Sequence, residues 1–262
     1  MECARLNRYG VLSVSGAEAR DFLHAQLTND IQNLPPERAV LAGWCSAKGR
    51  LLASFLVIPG PQGYLLQLAR DLAPAVAKRL SMFVLRAKVK VADESDAWVQ
   101  FGVWDADWDA SRVAWDGERV TVPVGDKRFL RLERSSSTTL VPNADEEAWY
   151  LQEIRAGRPL ITAATQDQFV PQMVNFEALG GIDFRKGCYP GQEIVARAQY
   201  RGQVKRRMVR LPAPAGTRLS SAARMTSDPS RRISSFSRPT ALSSLSPRKE
   251  LLHTSSASRS VL

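Results

Sequence analysis

Residues 186–198 read KGCYPGQEIVARA. Cys188 stands between Gly187 and Gly191, and Tyr189 and Pro190 separate it from a charged run of helical character. Proline suits the first position of a helix, where its missing N–H would be unpaired anyway. The stretch therefore predicts a helix from Pro190, with Cys188 just ahead of it. Glu193 and Arg197 are spaced on that helix as a favourably oriented i,i+4 pair. The positive end of the helix, together with Arg185, Lys186 and Arg197, favours thiolate over thiol at Cys188. The glycines leave open space for a ligand or partner to approach the backbone. The competing reading is a small apolar cysteine buried in a tight turn.

Working outward, EEAWYLQEIRAG (146–157) reads as a helix ended by Gly157, with Pro159 beyond and Ala148, Leu151 and Ile154 as its inward strip. A polar loop over 135–148 precedes it, and AWVQFGVWD, ERVTVPVG and RFLRLER before that read as three strands. Near the start, YGVLSVSG (9–16) alternates like a strand. Ser15 and Glu18 have capping-box spacing, and Ala19, Phe22, Leu23, Leu27 and Ile31 follow as the stripe of a helix over 16–31. RLLASFLVIP is a continuous apolar run, as a central strand requires. PGPQG is a turn and YLLQLA its paired strand. Asp71 is placed to cap a helix running to about Leu85, and AKVKVAD alternates again. The class is α+β, with mostly antiparallel sheet and no fixed-period repeat.

The chain has 262 residues, 44% hydrophobic and 24% charged, which is a soluble globular composition. No apolar run approaches the roughly 18 residues of a membrane span, and the first residues show no signal core. Membrane partners are therefore not expected. Cys3, Cys45 and Cys188 form no CxxC and no paired framework, which fits a reducing compartment, the cytoplasm. Their spacing matches no iron–sulfur motif. The only histidines are His24 and His253, so a histidine triad or multi-histidine metal site is hard to build, and this chain alone is expected to hold no metal. His24 falls on the flank of the first helix and reads as a packing or solvent residue.

The net charge is +10, but residues 217–262 hold eight cations against two carboxylates, so +6 of it lies there. Those 46 residues contain 14 Ser, no Gly, Trp or Tyr, and one Phe. Such a segment buries too little apolar area to offset its ordering entropy, and disorder is expected. A natural linker, a basic RNA-contacting tail and an out-of-frame translation product remain open as its origin. Direct nucleic-acid binding by the folded part is not expected, because the basic charge is concentrated in this tail.

FVPQMVNFEALGGIDFRKGCYPGQEIVARAQYRGQVKRR resembles the signature of YgfZ proteins, folate-binding relatives of the glycine-cleavage aminomethyltransferase. The K-G-C-Y-x-G-Q-E core stands as Lys186, Gly187, Cys188, Tyr189, Pro190, Gly191, Gln192 and Glu193. FLHAQLTNDIQNL and WCSAKGRLLASF are similar to the family's N-terminal segment. The resemblance covers about residues 6–212. It implies a folate-binding unit of 1–70 with 146–212, a second, ferredoxin-like α+β unit of 71–145, and a C-terminal barrel where this chain has its 213–262 tail. A missing barrel would leave apolar surface uncovered near 186–211. The resemblance further implies binding of tetrahydrofolate or a derivative, and work with iron–sulfur proteins or their assembly machinery, including cluster enzymes that modify tRNA. It places folate-lining aromatics at Tyr9, where a tryptophan is often found, and at Trp149. Gln192, Glu193 and Arg197 join them as cofactor-binding candidates, with Lys48 and Arg50 read as ordinary solvated charges.

Three functions follow. The first is a folate-dependent accessory protein for iron–sulfur clusters, with Cys188 as its working thiol and Lys186 beside it. The second is an aminomethyl or other one-carbon transferase, for which Asp30 in LTND is the candidate carboxylate. The third is a non-enzymatic RNA binder acting through basic residues. Whether the protein turns over a substrate stays open at this level.

Overall fold

The computed structural model describes residues 1–108, 111–125, 127–202, 204–212 and 250–255. In chain order the elements are β1 (Glu2–Arg5), β2 (Tyr9–Ser15), α1 (Ala19–Gln26), β3 (Val40–Cys45), β4 (Leu51–Gly60), β5 (Gly63–Ala69), α2 (Ala73–Ser81), β6 (Lys90–Asp93), β7 (Trp98–Trp104), β8 (Ala114–Asp116), β9 (Arg119–Gly125), β10 (Arg128–Arg134), α3 (Glu146–Arg155), α4 (Gln192–Tyr200), β11 (Arg207–Pro212) and β12 (Glu250–Ser255). Short 3-10 turns cover Arg70–Leu72 and Pro171–Val174.

Two five-stranded antiparallel sheets form the body, ordered β3-β4-β5-β2-β6 and β1-β7-β10-β9-β8. They pack face to face over Val11, Leu56, Ile58 and Leu65 from the first and Val120, Val122, Leu130 and Leu132 from the second. The far face of the first sheet is covered by α1, α2 and the 161–195 segment. That sheet lies between two cores, which explains the unbroken apolar run of β4. Ala53, Phe55 and Val57 meet the helices, while Leu56 and Ile58 meet the second sheet. Full burial of each larger side chain contributes roughly 1.5–3 kcal/mol.

The α+β, antiparallel expectation holds, and the local differences have local causes. Helix α1 spans Ala19–Gln26 rather than 16–31, because Leu27 is extended and bridges to Trp44. The capping box does not form: Gly16 takes a φ of +113°, and Glu18 accepts from the Lys88 amide instead. Asp71 caps no helix but accepts from the Ala163 amide at 3.0 Å. Helix α3 ends as expected, with Gly157 at φ +67°, yet its buried residues are Trp149, Glu153 and Ile154 rather than the strip of Ala148, Leu151 and Ile154. β1, β3, β8 and β11 carry no clear alternation and were not expected.

Two strands cross the expected unit boundary, since β1 joins the sheet of 98–134 and β6 joins the sheet of 9–69. Within the tail expected to be unstructured, Glu250–Ser255 is a strand paired antiparallel with β11, and it lies beside α3. The remainder of that expectation falls outside the described residues. Among the described residues of 186–211, Ile194, Tyr200 and Leu211 are exposed apolar side chains.

Candidate functional site

The LTND stretch is stitched between β3 and the 180–183 segment. Thr28 Oγ1 donates to the Gly181 carbonyl at 2.6 Å and accepts from the Gly43 amide at 2.7 Å. The Asn29 side-chain amide donates to the carbonyls of Leu41 and Gly180, both at 2.7 Å. The Asp183 amide returns to the Thr28 carbonyl at 3.0 Å. These bonds set the starting direction of the loop that carries Cys188.

Within that loop, side chains alternate between anchor and exposure. Lys186 turns inward, and its ammonium donates to the carbonyls of His24 and Leu27 at the C-terminal end of α1. Carbonyls there lack helical partners and carry the negative end of the dipole. Nζ also lies 4.9 Å from the centre of the Tyr189 ring. Burial lowers the Lys186 ammonium to about 8, against the opposing pull of Asp30, Asp183 and Cys188. Tyr189 is also buried, and that burial, with Cys45 nearby, pushes its hydroxyl above the usual phenol range. Between these anchors Gly187 and Cys188 face solvent.

Gly191 fixes the other end of the loop. At φ +80°, a Cβ there would come within 2.3 Å of the Ser46 carbonyl oxygen and 2.7 Å of Gly49 Cα. Only glycine allows this backbone-to-backbone seat on the β3–β4 turn. The seat moves the helix start: Pro190 and Gly191 belong to a turn, and α4 begins at Gln192. Cys188 therefore stands four residues ahead of the helix, two more than Pro190 at the first position would place it. It is exposed, which overturns the buried-cysteine alternative. Cys3 and Cys45 are buried. Burial pushes the Cys45 thiol up to about 12, and burial followed by Glu133 raises that of Cys3.

An open hollow of about 530 Å³ is lined by His24, Asp30, Asp183, Arg185, Lys186 and Gly187 among others, and Gly187 is the chain neighbour of Cys188. Burial raises the Asp30 carboxyl, but bonds from the Asn33 side chain and backbone, with His24, outweigh it and hold the group below its ordinary value. His24 Nδ1 is 3.2 Å from Asp30 Oδ1 and accepts from the Gln32 amide at 3.2 Å. Its Nε2 faces the open side of Gly187. His24 is thus a lining residue, although its helical position marked it only for packing or solvent. Asp183 was also missed, and its place three residues before Lys186 was the available signal.

The remaining candidates lie elsewhere. Tyr9 and Trp149 share the core between the sheets. Trp149 is 2% exposed, its ring pressed onto Gly102, 6.1 Å from Trp104, with the Arg128 guanidinium 4.9 Å from its centre. Tyr9 lines a cavity of about 30 Å³ with Gln67, Tyr150, Glu153 and Arg158. Burial, then Glu153 and Tyr150, pushes the Tyr9 hydroxyl well above its ordinary range. Glu153 itself is paired with Arg128 and with Arg158, the latter at 3.6 Å. Ligand cavities run to roughly 300–1,000 Å³, whereas this one has room for a water. A pterin does not fit between Tyr9 and Trp149 in this arrangement. On α4, Gln192 is half-buried, while Glu193 and Arg197 are exposed and make no ion pair with each other. Arg50 donates to the Asp167 carbonyl at 3.3 Å, and Lys48 is exposed. Among the described residues no group of three His, Cys, Asp or Glu is placed to hold a metal, and no helix is long and apolar enough to cross a membrane.

No family model matches the chain. Curated relatives do. The tRNA-modifying protein YgfZ of Serratia proteamaculans is 32% identical over 233 residues, covering 80% of this chain and 71% of that protein. The chain belongs to the YgfZ family. The YgfZ of Edwardsiella ictaluri is likewise 32% identical, over 77% of this chain and 68% of its own. Among solved structures, the glycine cleavage system aminomethyltransferase T from Bartonella henselae superposes with a TM-score of 0.62 at 12% identity, covering 81% of this chain and 67% of that one. At that identity the likeness establishes a shared fold. In this YgfZ chain the K-G-C-Y motif is therefore a loop that buries its lysine and tyrosine and leaves its cysteine in solvent.

Proposed function

We propose that this protein serves tRNA modification as a YgfZ-type accessory factor for iron–sulfur cluster assembly or repair, with Cys188 as its working thiol in the cytoplasm. One observation carries the reading. Of the three cysteines only Cys188 is exposed, and it is held between two buried anchors, next in the chain to Gly187 of the polar hollow. A thiolate is a metal ligand and nucleophile, and such thiols sit in partially exposed, electropositive surroundings. Arg185 and Lys186 flank the cysteine in the chain, and Asp30 and Asp183 line the hollow with them.

The chain's own contribution is positional. Lys186 and Tyr189 fix the loop, Gly191 seats it on the β3–β4 turn, and Gly187 keeps the approach to the sulfur open. Transient contact with a cluster or a cluster protein then needs no metal site of its own. Tetrahydrofolate belongs to this reading only with the Tyr9 cleft widened, since the cavity there is water-sized. When bound, folate supplies one-carbon chemistry, and no step at Cys188 is routed through it. We carry the division into 1–70 with 146–212 and 71–145 as the functional one, with β1 and β6 exchanged between the sheets. A transferase reading would rest on Asp30, whose carboxylate is committed to Asn33 and His24.

The test is complementation in cells whose own YgfZ has been deleted. Sulfur-containing tRNA nucleosides, quantified by mass spectrometry, are restored by the wild-type chain and not by Cys188→Ser. Full restoration by Cys188→Ser would end the reading.

A further inference from the structure

The turn after α2 exposes apolar residues where a soluble fold ordinarily hides them. Met82 is 70% exposed, Phe83 45% and Leu85 89%. Leu85 also holds a φ of +47°, a left-handed conformation that branched and bulky side chains avoid. The turn is anchored from below. Val84 packs on the main core, and the Phe83 ring meets Trp44 edge-on at 6.2 Å. Arg79 lies 5.6 Å from the centre of the Trp44 ring. Met82 and Leu85 are left projecting.

Cations surround this turn. Lys78, Arg79, Arg86, Lys88 and Lys90 are all exposed, and residues 72–92 contain no Asp or Glu. None of the five makes an ion pair among the described residues. The neighbouring carboxylate, Glu18, is engaged by the Lys88 backbone amide. Among the described residues β6 is the edge strand of its sheet, paired with β2.

We infer that Met82, Phe83 and Leu85 with their flanking cations form a docking surface for an acidic protein segment that presents apolar side chains. Charge complementarity selects the partner's sign, and the chain's own 213–249 sequence, with seven cations against Asp228, does not supply it. The apolar residues select its class. Protein interfaces are enriched in Phe, Met and Arg at their centres. RNA would use the cations and the Phe83 ring but would leave Leu85 and Met82 in water. A membrane would need a broad apolar face, whereas the apolar face of α2, Ala73, Val76, Ala77 and Leu80, is buried in the core. The surface adjoins the thiol loop through one junction: Trp44, which Phe83 and Arg79 touch, bridges to Leu27, whose carbonyl binds Lys186. The inference stands on the patch alone and does not require the Cys188 reading.

The experiment uses the full chain and a fluorescein-labelled amphipathic peptide with Leu and Phe on one face and Glu on the other, read by anisotropy. Wild type binds it, with affinity that falls as salt rises. Leu85→Asn, which suits the left-handed backbone and so keeps or raises thermal stability, weakens binding at least about fivefold, as does Arg86→Glu. Cys188→Ser binds like wild type, which separates this surface from the thiol. Tighter binding of a Lys-bearing peptide, of oligouridylate, or of phosphatidylcholine–phosphatidylglycerol vesicles would overturn the inference. So would unchanged peptide binding by Leu85→Asn and Arg86→Glu.

Discussion

The Lys186 ammonium donates to the Leu27 carbonyl at 2.6 Å and so closes the C-terminal end of α1 from a loop 159 residues away in sequence. The contact makes the thiol loop and the first helix one unit. It also explains why a lysine sits two residues before the cysteine: a long stem is needed to reach carbonyls that the helix leaves unpaired.

Lys186→Met should therefore destabilise the protein by about 1–3 kcal/mol, the usual result of orphaning a buried polar group, measured by urea unfolding at neutral pH. The pH dependence has a definite sign. The folded ammonium titrates near 8, below its ordinary 10.5, so the unfolded chain binds more protons in that interval. Stability from this residue rises as pH climbs from about 8 to 10. The gap between wild type and Lys186→Met should widen over that range, and a narrowing gap would contradict the assignment.

Gly191→Ala should be severe. The added Cβ would lie 2.3 Å from a backbone oxygen at a φ of +80°, so both strain and collision apply. A loss of at least about 2 kcal/mol is expected. Gly157→Ala is the control, because it shares a positive φ of +67° but meets nothing within 4 Å. It should lose only about 1 kcal/mol. Equal losses in calorimetry would mean that the seat on the β3–β4 turn does not matter.

Iodoacetamide should label Cys188 in the folded protein, while Cys3 and Cys45 react only after denaturation. Peptide mass spectrometry reads this directly. Early labelling of Cys45 would show that its core opens in the native state.

Acid should destabilise the second sheet through Glu133. Burial raises this carboxyl, but the Thr139 amide and hydroxyl and Arg131 outweigh it and hold it below its ordinary range. Its contribution is present above about pH 4.3, the unfolded value, and is lost as pH falls through the lower folded value. Glu133→Gln should flatten the stability profile between about pH 5 and 3. A profile as steep as wild type would place acid sensitivity elsewhere.

Several elements could be read from the chain because their causes are local. The unbroken run of β4, the alternation of β2 and β9, and the Gly157 stop of α3 each report a backbone state through neighbouring residues. The elements that escaped are held by distant partners. Ser15 and Glu18 have the spacing of a capping box, yet Glu18 goes to Lys88. Pro190 suits a helix start, yet Gly191 must first meet Ser46. Trp149 and Tyr9 read as ligand aromatics by resemblance, and in the structure Gly102, Trp104 and Arg128 surround the tryptophan.

Apolar period, turn residues and the K-G-C-Y motif were enough to determine the α+β class, the order of most elements and the family. Which cysteine meets solvent, which way Lys186 points, and that Leu85 and Met82 stand exposed among cations were decided only by tertiary packing. Exposure and charge pairing depend on residues far apart along the chain, and no local pattern encodes which of them will meet.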